Sequence, residues 1–502
     1  MTRLRDFLVL KKLSVTDLTV EARRVKATYT VEHFNGEKAA TELIYSYDNP
    51  YFNPANGNDV NLASVMAVQV ALNYGLFCEE IVFDGLYDQT DRQFLRYVLE
   101  NTSREILCNK LLIQNEFLLP PFDTLEPVQQ PTYTQAKLEF INSKWAGLEI
   151  GHEATETDKN AYAILSSGGK DSLLSYGMVK EFGTPHPIFI NESGRHWFTA
   201  VNAHRHFEAI EPNTAKPWCN SDRLFNWMLR QLKFIRPNHA AIRSDMYPIR
   251  LWTVAVFLFG VLPIVRKRKI GNILIGNEYD TTLRANTQGI SHYCALYDQS
   301  KYFDNALTRY YHQKKWAVNQ FSILRSLSEL LIMKVLIKRY PELQKHQVSC
   351  HAAHAKDGRM YPCGNCEKCR RIIGMITALD ENPANCGYTP EQIAGALKAL
   401  SAKKVKQIGS DAAHLYHLLL SKGQIAETEF TGKVARAHPE IMKLRFDQER
   451  SNLQDLPEYV RMPLFNIVRQ YADGAVSRRE KRWVEENLTE DFILASKYKY
   501  HE

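Results

Sequence analysis

The stretch Ala161–Ser175, which reads AYAILSSGGKDSLLS, constrains the fold of this chain more than any other. Ala161–Leu165 is a short apolar run with the length and composition of one buried strand. Ser166–Gly169 breaks the run, and apolar residues return at helical spacing from Leu173 onward. A strand, a glycine turn and a helix in this order direct several backbone N–H groups and a helix N-terminus to one point. The stretch therefore predicts a phosphate-binding loop.

The side chains of this loop suit a phosphate as well. Gly168 and Gly169 carry no Cβ, so the backbone can approach a ligand closely. Lys170 supplies a cation, and Asp171 is an acid that orients the loop or helps to hold Mg²⁺. The predicted nucleotide ligands are Ser167, Gly168, Gly169, Lys170, Asp171 and Ser172. The spacing differs from a Walker A loop, and an ordinary strand–turn–helix is the alternative interpretation.

Length and composition indicate a globular protein with several domains. The 502 residues exceed a single core, and we predict domains over 1–150, 151–386 and 387–502. Hydrophobic residues make up 45% of the chain and charged residues 24%, as in ordinary soluble proteins. The net charge of +7 permits an anionic ligand such as a nucleotide but does not by itself indicate nucleic acid.

Neither a signal peptide nor a membrane span is predicted. The apolar run Phe7–Leu10 is too short for a signal peptide. Leu251–Val265 is interrupted by Pro263 and is too short for a bilayer, so it predicts a buried helix. Nine cysteines, several of them clustered, indicate metal binding in a reducing compartment rather than a set of disulfides. We therefore expect a cytoplasmic protein with no membrane partner.

The region before the loop is predicted to be a separate α/β unit. Val25–Val31 and Ala40–Tyr47 are strand-like, and Asn35-Gly36 between them predicts a hairpin. A small acidic group in this unit is interpreted as helix caps: Asp84, Asp88 and Asp91.

Two further strands of the middle region end in polar turns. Pro187–Asn191 is followed by turn 192–194, and Ile270–Ile275 is followed by turn 276–280. Ligands of open parallel sheets sit at the carboxyl ends of the strands, so these turns should lie beside the loop, with an adenosine near Asn191. The predicted site residues in these turns are Asn191, Gly276, Asn277, Glu278 and Asp280.

Four cysteines predict a metal site. Cys363, Cys366 and Cys369 follow the spacing C-x2-C-x2-C, and Cys350 lies thirteen residues before the first of them. Four thiolates suit tetrahedral Zn²⁺ in a closed, structural site. An iron–sulfur cluster is the first alternative, although the fourth ferredoxin cysteine follows the triplet and is trailed by proline. Unligated thiols are the other alternative.

From about residue 387 onward the sequence predicts helices throughout. The charge-dense segment Arg478–Arg482 is interpreted as a solvated helix face. A helix is also predicted over Phe321–Leu336, where Arg325 and Glu329 would form an ion pair one turn apart.

The segment Ser167–Ser172 resembles the SGGxDS signature of the PP-loop ATP pyrophosphatases, which split ATP into AMP and pyrophosphate. Together with the cysteines, the region from about 160 to 375 resembles the 7-cyano-7-deazaguanine synthase (QueC-like) branch of that superfamily. This branch has Ser-Cys and then C-G-x-C-x-x-C followed by Arg, as in Ser349-Cys350 and Cys363–Arg370, whereas Leu251 stands where the family has Asn. The resemblance implies an α/β fold: a Rossmann-like parallel sheet of the adenine nucleotide alpha hydrolase type with a zinc-binding segment.

The layout of the chain is also similar to the ATP-dependent epimerase of UDP-N-acetylmuramoyl-L-alanyl-L-glutamate. That enzyme likewise has an N-terminal α/β unit before its loop, an Asn-Glu turn such as Asn277-Glu278, and a segment matching Phe321–Leu330 before the cysteines. QueC-like proteins also occur in antiphage operons, including ones that attach a deazaguanine to the N-terminus of a partner protein.

These relatives share ATP-driven activation of a carboxylate, which forms an acyl-adenylate and pyrophosphate. The resemblance implies that Lys170 stabilises the leaving pyrophosphate and that Asp171, with Glu278 or Asp280, holds Mg²⁺. Arg250, at a helix start, would pair with the substrate carboxylate or form an ordinary ion pair. The implied cofactors are ATP, Mg²⁺ and Zn²⁺.

The product of such an activation is not fixed by the sequence. A small carboxylate could become an amide, a nitrile or an epimer. A second function is conjugation to a partner protein, and a third is tRNA modification, for which the basic runs Arg266–Lys269 and Lys403–Lys406 are the candidate RNA surface. A homodimer is expected.

Overall fold

The described residues of the computed structural model, 2–142, 152, 154–192, 194–242, 249, 254–293, 297–407 and 409–500, build two main sheets flanked by helices. The strands are β1 Leu10–Glu21, β2 Arg24–His33, β3 Lys38–Ser46, β4 Cys78–Asp84, β5 Lys137–Ile141, β6 Asp158–Leu165, β7 Thr184–Ile188, β8 Trp218–Cys219, β9 Ile270–Leu274, β10 Arg284–Thr287, β11 Ile290–Tyr293, β12 Asn319–Phe321, β13 His354–Lys356, β14 Arg359–Tyr361, β15 Leu444–Phe446, β16 Ala475–Arg479 and β17 Arg482–Glu486.

The α-helices lie between and after these strands. They are α1 Gly57–Ala67, α2 Gln89–Ile106, α3 Lys170–Phe182, α4 Arg195–Ile210, α5 Ser221–Gln231, α6 Val254–Lys267, α7 Lys301–Gln313, α8 Glu329–Arg339, α9 Pro341–Gln344, α10 Glu367–Ala378, α11 Pro390–Leu400, α12 Gly409–Ser421, α13 Glu429–Val434, α14 Glu458–Val468 and α15 Glu490–Leu494. Within the described residues, none of these helices combines the length and the apolar character needed to cross a bilayer.

The first sheet is mixed and has the strand order β5-β4-β1-β2-β3-β8. Strands β5, β4 and β1 run parallel, whereas β1, β2, β3 and β8 pair antiparallel. The predicted hairpin is confirmed, and Gly36 at its turn has a φ of +86°, which glycine adopts without a Cβ clash. Asp88 and Asp91 form a reciprocal capping box at the start of α2, as interpreted from the sequence, while Asp84 is the last residue of β4.

The second sheet is parallel throughout and has the order β7-β6-β9-β12. Every residue of β9 is buried, as expected for a strand covered on both faces. Helix α3 connects β6 to β7, and the chain then returns to place β9 on the other side of β6. The strand order therefore reverses between β6 and β9, and a crevice opens there at the carboxyl ends of both strands.

Strand β8 joins the two sheets. It pairs with β3 of the first sheet, and Trp218 forms a parallel bridge with Asn191 just beyond β7. The Asn191 N–H donates to the Pro217 carbonyl at 2.9 Å, so the predicted strand over 187–191 continues past β7 as an irregular sheet edge. One hydrophobic core includes residues of both sheets, among them Val25 and Ile273.

The C-terminal segment is not helical throughout, contrary to the prediction. Strands β15, β16 and β17 form a three-stranded sheet, and Arg478–Arg482 spans the end of β16, the hairpin turn and the first residue of β17 rather than a helix face. Glu480 in this turn has a φ of +56°. In strands this short, apolar and polar residues alternate over too few positions for the pattern to be distinguished from that of the flanking helices.

The segment 321–336 is also not a single helix. Strand β12 ends at its first residue, and α8 begins only after Ser328, which caps it by accepting a hydrogen bond from a backbone N–H. Arg325 is buried in the turn between these elements and forms an ion pair with Asp304. The predicted ion pair between Arg325 and Glu329 is therefore wrong, because the serine cap starts a new helix between them.

Candidate functional site

The predicted phosphate loop lies between β6 and α3 in the crevice of the parallel sheet. Helix α3 begins at Lys170, and its N-cap residue is Gly169, which has no side chain to cap the first N–H groups. The first N–H groups of a helix have no intrahelical partner. Gly168 has a φ of +75°, and a Cβ at this position would lie 2.3 Å from the Thr199 carbonyl oxygen. The Val348 N–H donates to the Gly168 carbonyl at 3.3 Å. The loop is thus held from two sides in a conformation that requires glycine.

Lys170 is 4% exposed and stands among three carboxylates. Its Nζ lies 2.7 Å from Asp171 Oδ1, 3.3 Å from Glu329 Oε1 and 3.5 Å from Glu278 Oε2. Burial alone would lower the pKa of Lys170, but the three neighbouring carboxylates outweigh it and raise that pKa. Lys170 is therefore a permanent cation at the mouth of the loop.

The pKa values of the two glutamates beside Lys170 are shifted in opposite directions. Burial opposes ionisation of Glu329, but Lys170 and Arg371 prevail and lower its pKa to about 2. Burial raises the pKa of Glu278 well above its usual value, and Lys170 compensates only in part. Three carboxylates thus share two cations, which leaves the site short of positive charge. A divalent cation would correct this deficit, and carboxylate oxygens are the ligands that Mg²⁺ prefers.

The turn after β9 closes against the loop. A Cβ on Gly276 would lie 2.6 Å from the Asp171 Cβ, so glycine is needed for this close approach. The Asn277 N–H donates to Ser322 Oγ at 3.2 Å, which fixes the turn to the end of β12. The Asn277 side chain is 3% exposed, and its Nδ2 has no hydrogen-bond partner among the described residues. A buried donor of this kind fits a ligand with acceptor oxygens.

A cavity of about 550 Å³ connects these groups. Its lining at the loop is polar, and a group of apolar lining residues comes from β7, α6 and the residues that follow β7 and β9: Ile188, Ile190, Val254, Phe257 and Ile275. A polar cradle with an apolar wall suits a nucleotide, which has a charged and a flat apolar end. A second cavity of about 540 Å³, beside Leu111 and Arg236, contains none of the predicted site residues.

Most of the predicted site residues meet in the first cavity. Among its lining residues are Ser167, Gly169, Lys170, Asp171, Ser172, Gly276, Asn277 and Glu278. Asn191 does not line it, although Ile190 and Glu192 do. Arg250 lies outside the described residues.

Asp280 is not among the residues that line the cavity, and its electrostatic partners Arg445 and Asp411 belong to the C-terminal segment. Burial raises its pKa, and Arg445 opposes this effect. Arg445 Nη1 lies 3.6 Å from Asp411 Oδ2, and burial raises the pKa of Asp411 to about 8. Asp280 therefore belongs to a buried acid–arginine cluster that attaches the turn to α12 and β15.

Several lining residues were not predicted. Glu329 and Arg371 were missed because they become neighbours of Lys170 only through long-range packing, with Arg371 Nη1 at 3.5 Å from Glu329 Oε2. Lys368 and His351 are next to or between cysteines of the predicted metal site. This adjacency was the one feature of the sequence that could have indicated that they lie near the cavity. His351 accepts from Lys368 Nζ at 2.9 Å.

The four predicted cysteines come together beside the cavity. Their Sγ atoms lie within 4.8 Å of one another, with Cys350 to Cys363 at 3.3 Å and Cys366 to Cys369 at 3.5 Å. Sulfurs around a tetrahedral Zn²⁺ are about 3.8 Å apart, so this donor set fits such an ion after a small expansion. Gly364, with a φ of +75°, makes the tight turn that brings the sulfurs together.

No protein-family model, curated protein or solved structure matches this chain. The functional interpretation therefore depends on the geometry of the site.

Proposed function

We propose that this protein is an ATP-dependent, carboxylate-activating enzyme that forms an acyl-adenylate and releases pyrophosphate. The observation that carries the proposal is the meeting of the Ser167–Ser172 loop, Lys170 with its three carboxylates, and the Gly276–Glu278 turn. They meet at the carboxyl ends of adjacent parallel strands, where the strand order reverses. This placement supports assignment of the parallel sheet to the Rossmann-like, adenine nucleotide alpha hydrolase type.

The reaction divides between the two walls of the cavity. A carboxylate oxygen attacks the α-phosphorus of ATP, the bond from that phosphorus to the bridging oxygen breaks, and pyrophosphate leaves with the electron pair. The loop N–H groups and Lys170 face the oxygens on which this charge develops, and such preorganised donors stabilise the transition state without reorganising. The apolar wall would hold the adenine and exclude water from the activated acyl group.

Asp171 and Glu278 are the residues that would hold Mg²⁺, together with phosphate oxygens. When bound, the ion would neutralise charge on the phosphates. Zn²⁺ in the four-cysteine site would be structural, because four thiolates leave no open coordination position.

The acceptor of the activated acyl group decides between the possible products. Ammonia would displace AMP to give an amide, and a second ATP would adenylate the amide oxygen so that loss of AMP and protons gives a nitrile. An enolisable acyl-adenylate would lose and regain its α-proton, and hydrolysis would then release AMP and the epimer. A protein amine would give a conjugate with a partner, and tRNA modification is the fourth possibility. A cytoplasmic homodimer remains a prediction.

Pyrophosphate release from ATP tests the proposal. The purified protein should form AMP and pyrophosphate, and not ADP, with at least one of four candidate substrates: the carboxylates carboxydeazaguanine and the UDP-muramoyl dipeptide, or the acceptors tRNA and an N-terminal peptide of a neighbouring gene product. Lys170→Met should lower this turnover by at least about a hundredfold, because the leaving group loses its nearest cation. Formation of ADP, or no turnover with any of the four, would contradict the proposal.

A further inference from the structure

We propose that Lys368 and Arg371 form an anion subsite that binds the terminal phosphates of ATP and holds pyrophosphate as it leaves. The inference deepens the proposed function and rests on it. Neither residue belongs to the phosphate loop, and both reach the site from the metal-binding segment of the chain.

Both cations are presented by one face of α10. Lys368 and Arg371 are three positions apart on this helix, so their side chains point in the same direction, and both line the cavity. The helix begins directly after Cys366, whose Sγ accepts a hydrogen bond from the Cys369 N–H. Two of the four metal ligands therefore fix the end of the helix that carries Lys368, which gives the metal site a direct influence on the cavity.

The contacts of these cations leave donors for a ligand. Lys368 Nζ contacts His351 Nε2 at 2.9 Å, and no carboxylate of the described residues lies within 4 Å of it. Arg371 uses Nη1 for both of its contacts, one to Glu329 Oε2 at 3.5 Å and one to the Lys406 carbonyl at 2.9 Å. Its Nε is buried and has no hydrogen-bond partner among the described residues. Guanidinium and ammonium groups with open donors are the usual protein ligands of phosphate.

The position of these cations favours the phosphates over the substrate carboxylate. Glu329 lies between Lys170 and Arg371, at 3.3 Å and 3.5 Å respectively, so Arg371 is one carboxylate away from the loop lysine. Val348, which donates to the Gly168 carbonyl, belongs to the segment that leads into Cys350. The metal-binding segment therefore flanks the phosphate loop itself, and Lys368 and Arg371 line the same cavity as the loop.

Direct binding of inorganic pyrophosphate by calorimetry tests the subsite on the metal-loaded, full-length protein. Lys368→Met and Arg371→Met should each weaken pyrophosphate binding about tenfold or more, since each removes a charge-assisted contact. Arg370→Met is the matched control: it lies on the same helix, its guanidinium donates to the Asn365 carbonyl at 3.1 Å, and it does not line the cavity. Its pyrophosphate affinity should equal that of the wild type.

Metal content and thermal midpoint are measured on the same samples. Arg371→Met also breaks the contact to the Lys406 carbonyl, so Lys368→Met gives the independent result if the first variant is unstable. Unchanged pyrophosphate affinity in Lys368→Met overturns the subsite. Loss of metal from this variant would then mean that Lys368 is a counter-ion to the thiolates. Loss of affinity for the carboxylate substrate would mean that Lys368 binds that substrate instead. If the wild type binds neither pyrophosphate nor a non-hydrolysable ATP analogue, the proposed function fails as well.

Discussion

Lys170 is surrounded by more carboxylates than one ammonium group can balance, and the pKa values of these carboxylates are shifted differently. Glu329 is shared by Lys170 and Arg371, which lower its pKa, whereas burial outweighs the attraction of Lys170 at Glu278 and raises the pKa of that carboxyl. Two carboxylates at similar distances from one ammonium therefore have opposite pKa shifts. The difference predicts that substitution by glutamine destabilises the protein at Glu329 but not at Glu278.

Glu329→Gln should destabilise the protein at neutral pH by up to about 3 kcal/mol, since the folded state lowers this pKa from 4.5 to about 2. A depressed acid pKa contributes stability that is present above the unfolded value and lost as the pH falls toward the folded one. The difference in thermal midpoint from the wild type should therefore shrink between about pH 6 and about pH 3.5. Glu278→Gln is the matched control and should not destabilise, because its ionised form is disfavoured in the fold. A constant difference for Glu329→Gln across this range would contradict the assignment.

At the scale of elements, local signals predicted the structure where the sequence pattern and the packing agree. The Asn35-Gly36 hairpin, the strand before the loop and helix α3 follow from turn chemistry and periodicity that need no distant partner. Sequence reasoning failed where a cap interrupts an apolar pattern, as at Ser328, and where short strands depend on distant pairing, as in β15–β17. Hydrophobic periodicity cannot reveal a helix boundary that is set by the hydroxyl group of one capping serine.

Gly168→Ala tests whether the loop conformation requires glycine for steric reasons. The new Cβ would meet the Thr199 carbonyl at 2.3 Å, and a backbone oxygen cannot rotate away, so the loop must shift. We expect loss of most binding of a non-hydrolysable ATP analogue, measured by calorimetry. Gly36→Ala is the control, because its φ is also positive but a Cβ there meets nothing within 4 Å. That variant should lose only about 1–2 kcal/mol of stability and bind the analogue normally.

The whole molecule divides its apolar residues among separate clusters, and this division could not be predicted from the sequence. The largest cluster spans both sheets, across the boundary predicted at 150. A different cluster contains Cys350 and Cys369 together with the buried faces of α10, α11 and α12. Which segments share a core depends on long-range packing, and no local pattern in a single sequence encodes it. The predicted cysteine ligands, by contrast, followed from spacing alone because chelation needs only nearby sulfurs.

If the four-cysteine group holds a metal, removing that metal should loosen one part of the molecule and spare the rest. Chelation would deprive the cluster around Cys350 and Cys369 of a cross-link, while the core of the six-stranded sheet would keep its contacts. Hydrogen exchange of backbone amides in α10, α11 and α12 should become at least about tenfold faster, with no change in β1–β4. Cys363→Ser should reproduce this pattern without a chelator. Cys386→Ser should not, because Cys386 is buried in the same cluster but lies outside the four-sulfur group. Equal acceleration in β1–β4 would instead mean that the metal supports the entire fold, and no acceleration in α10–α12 would mean that the sulfurs do not act as a cross-link.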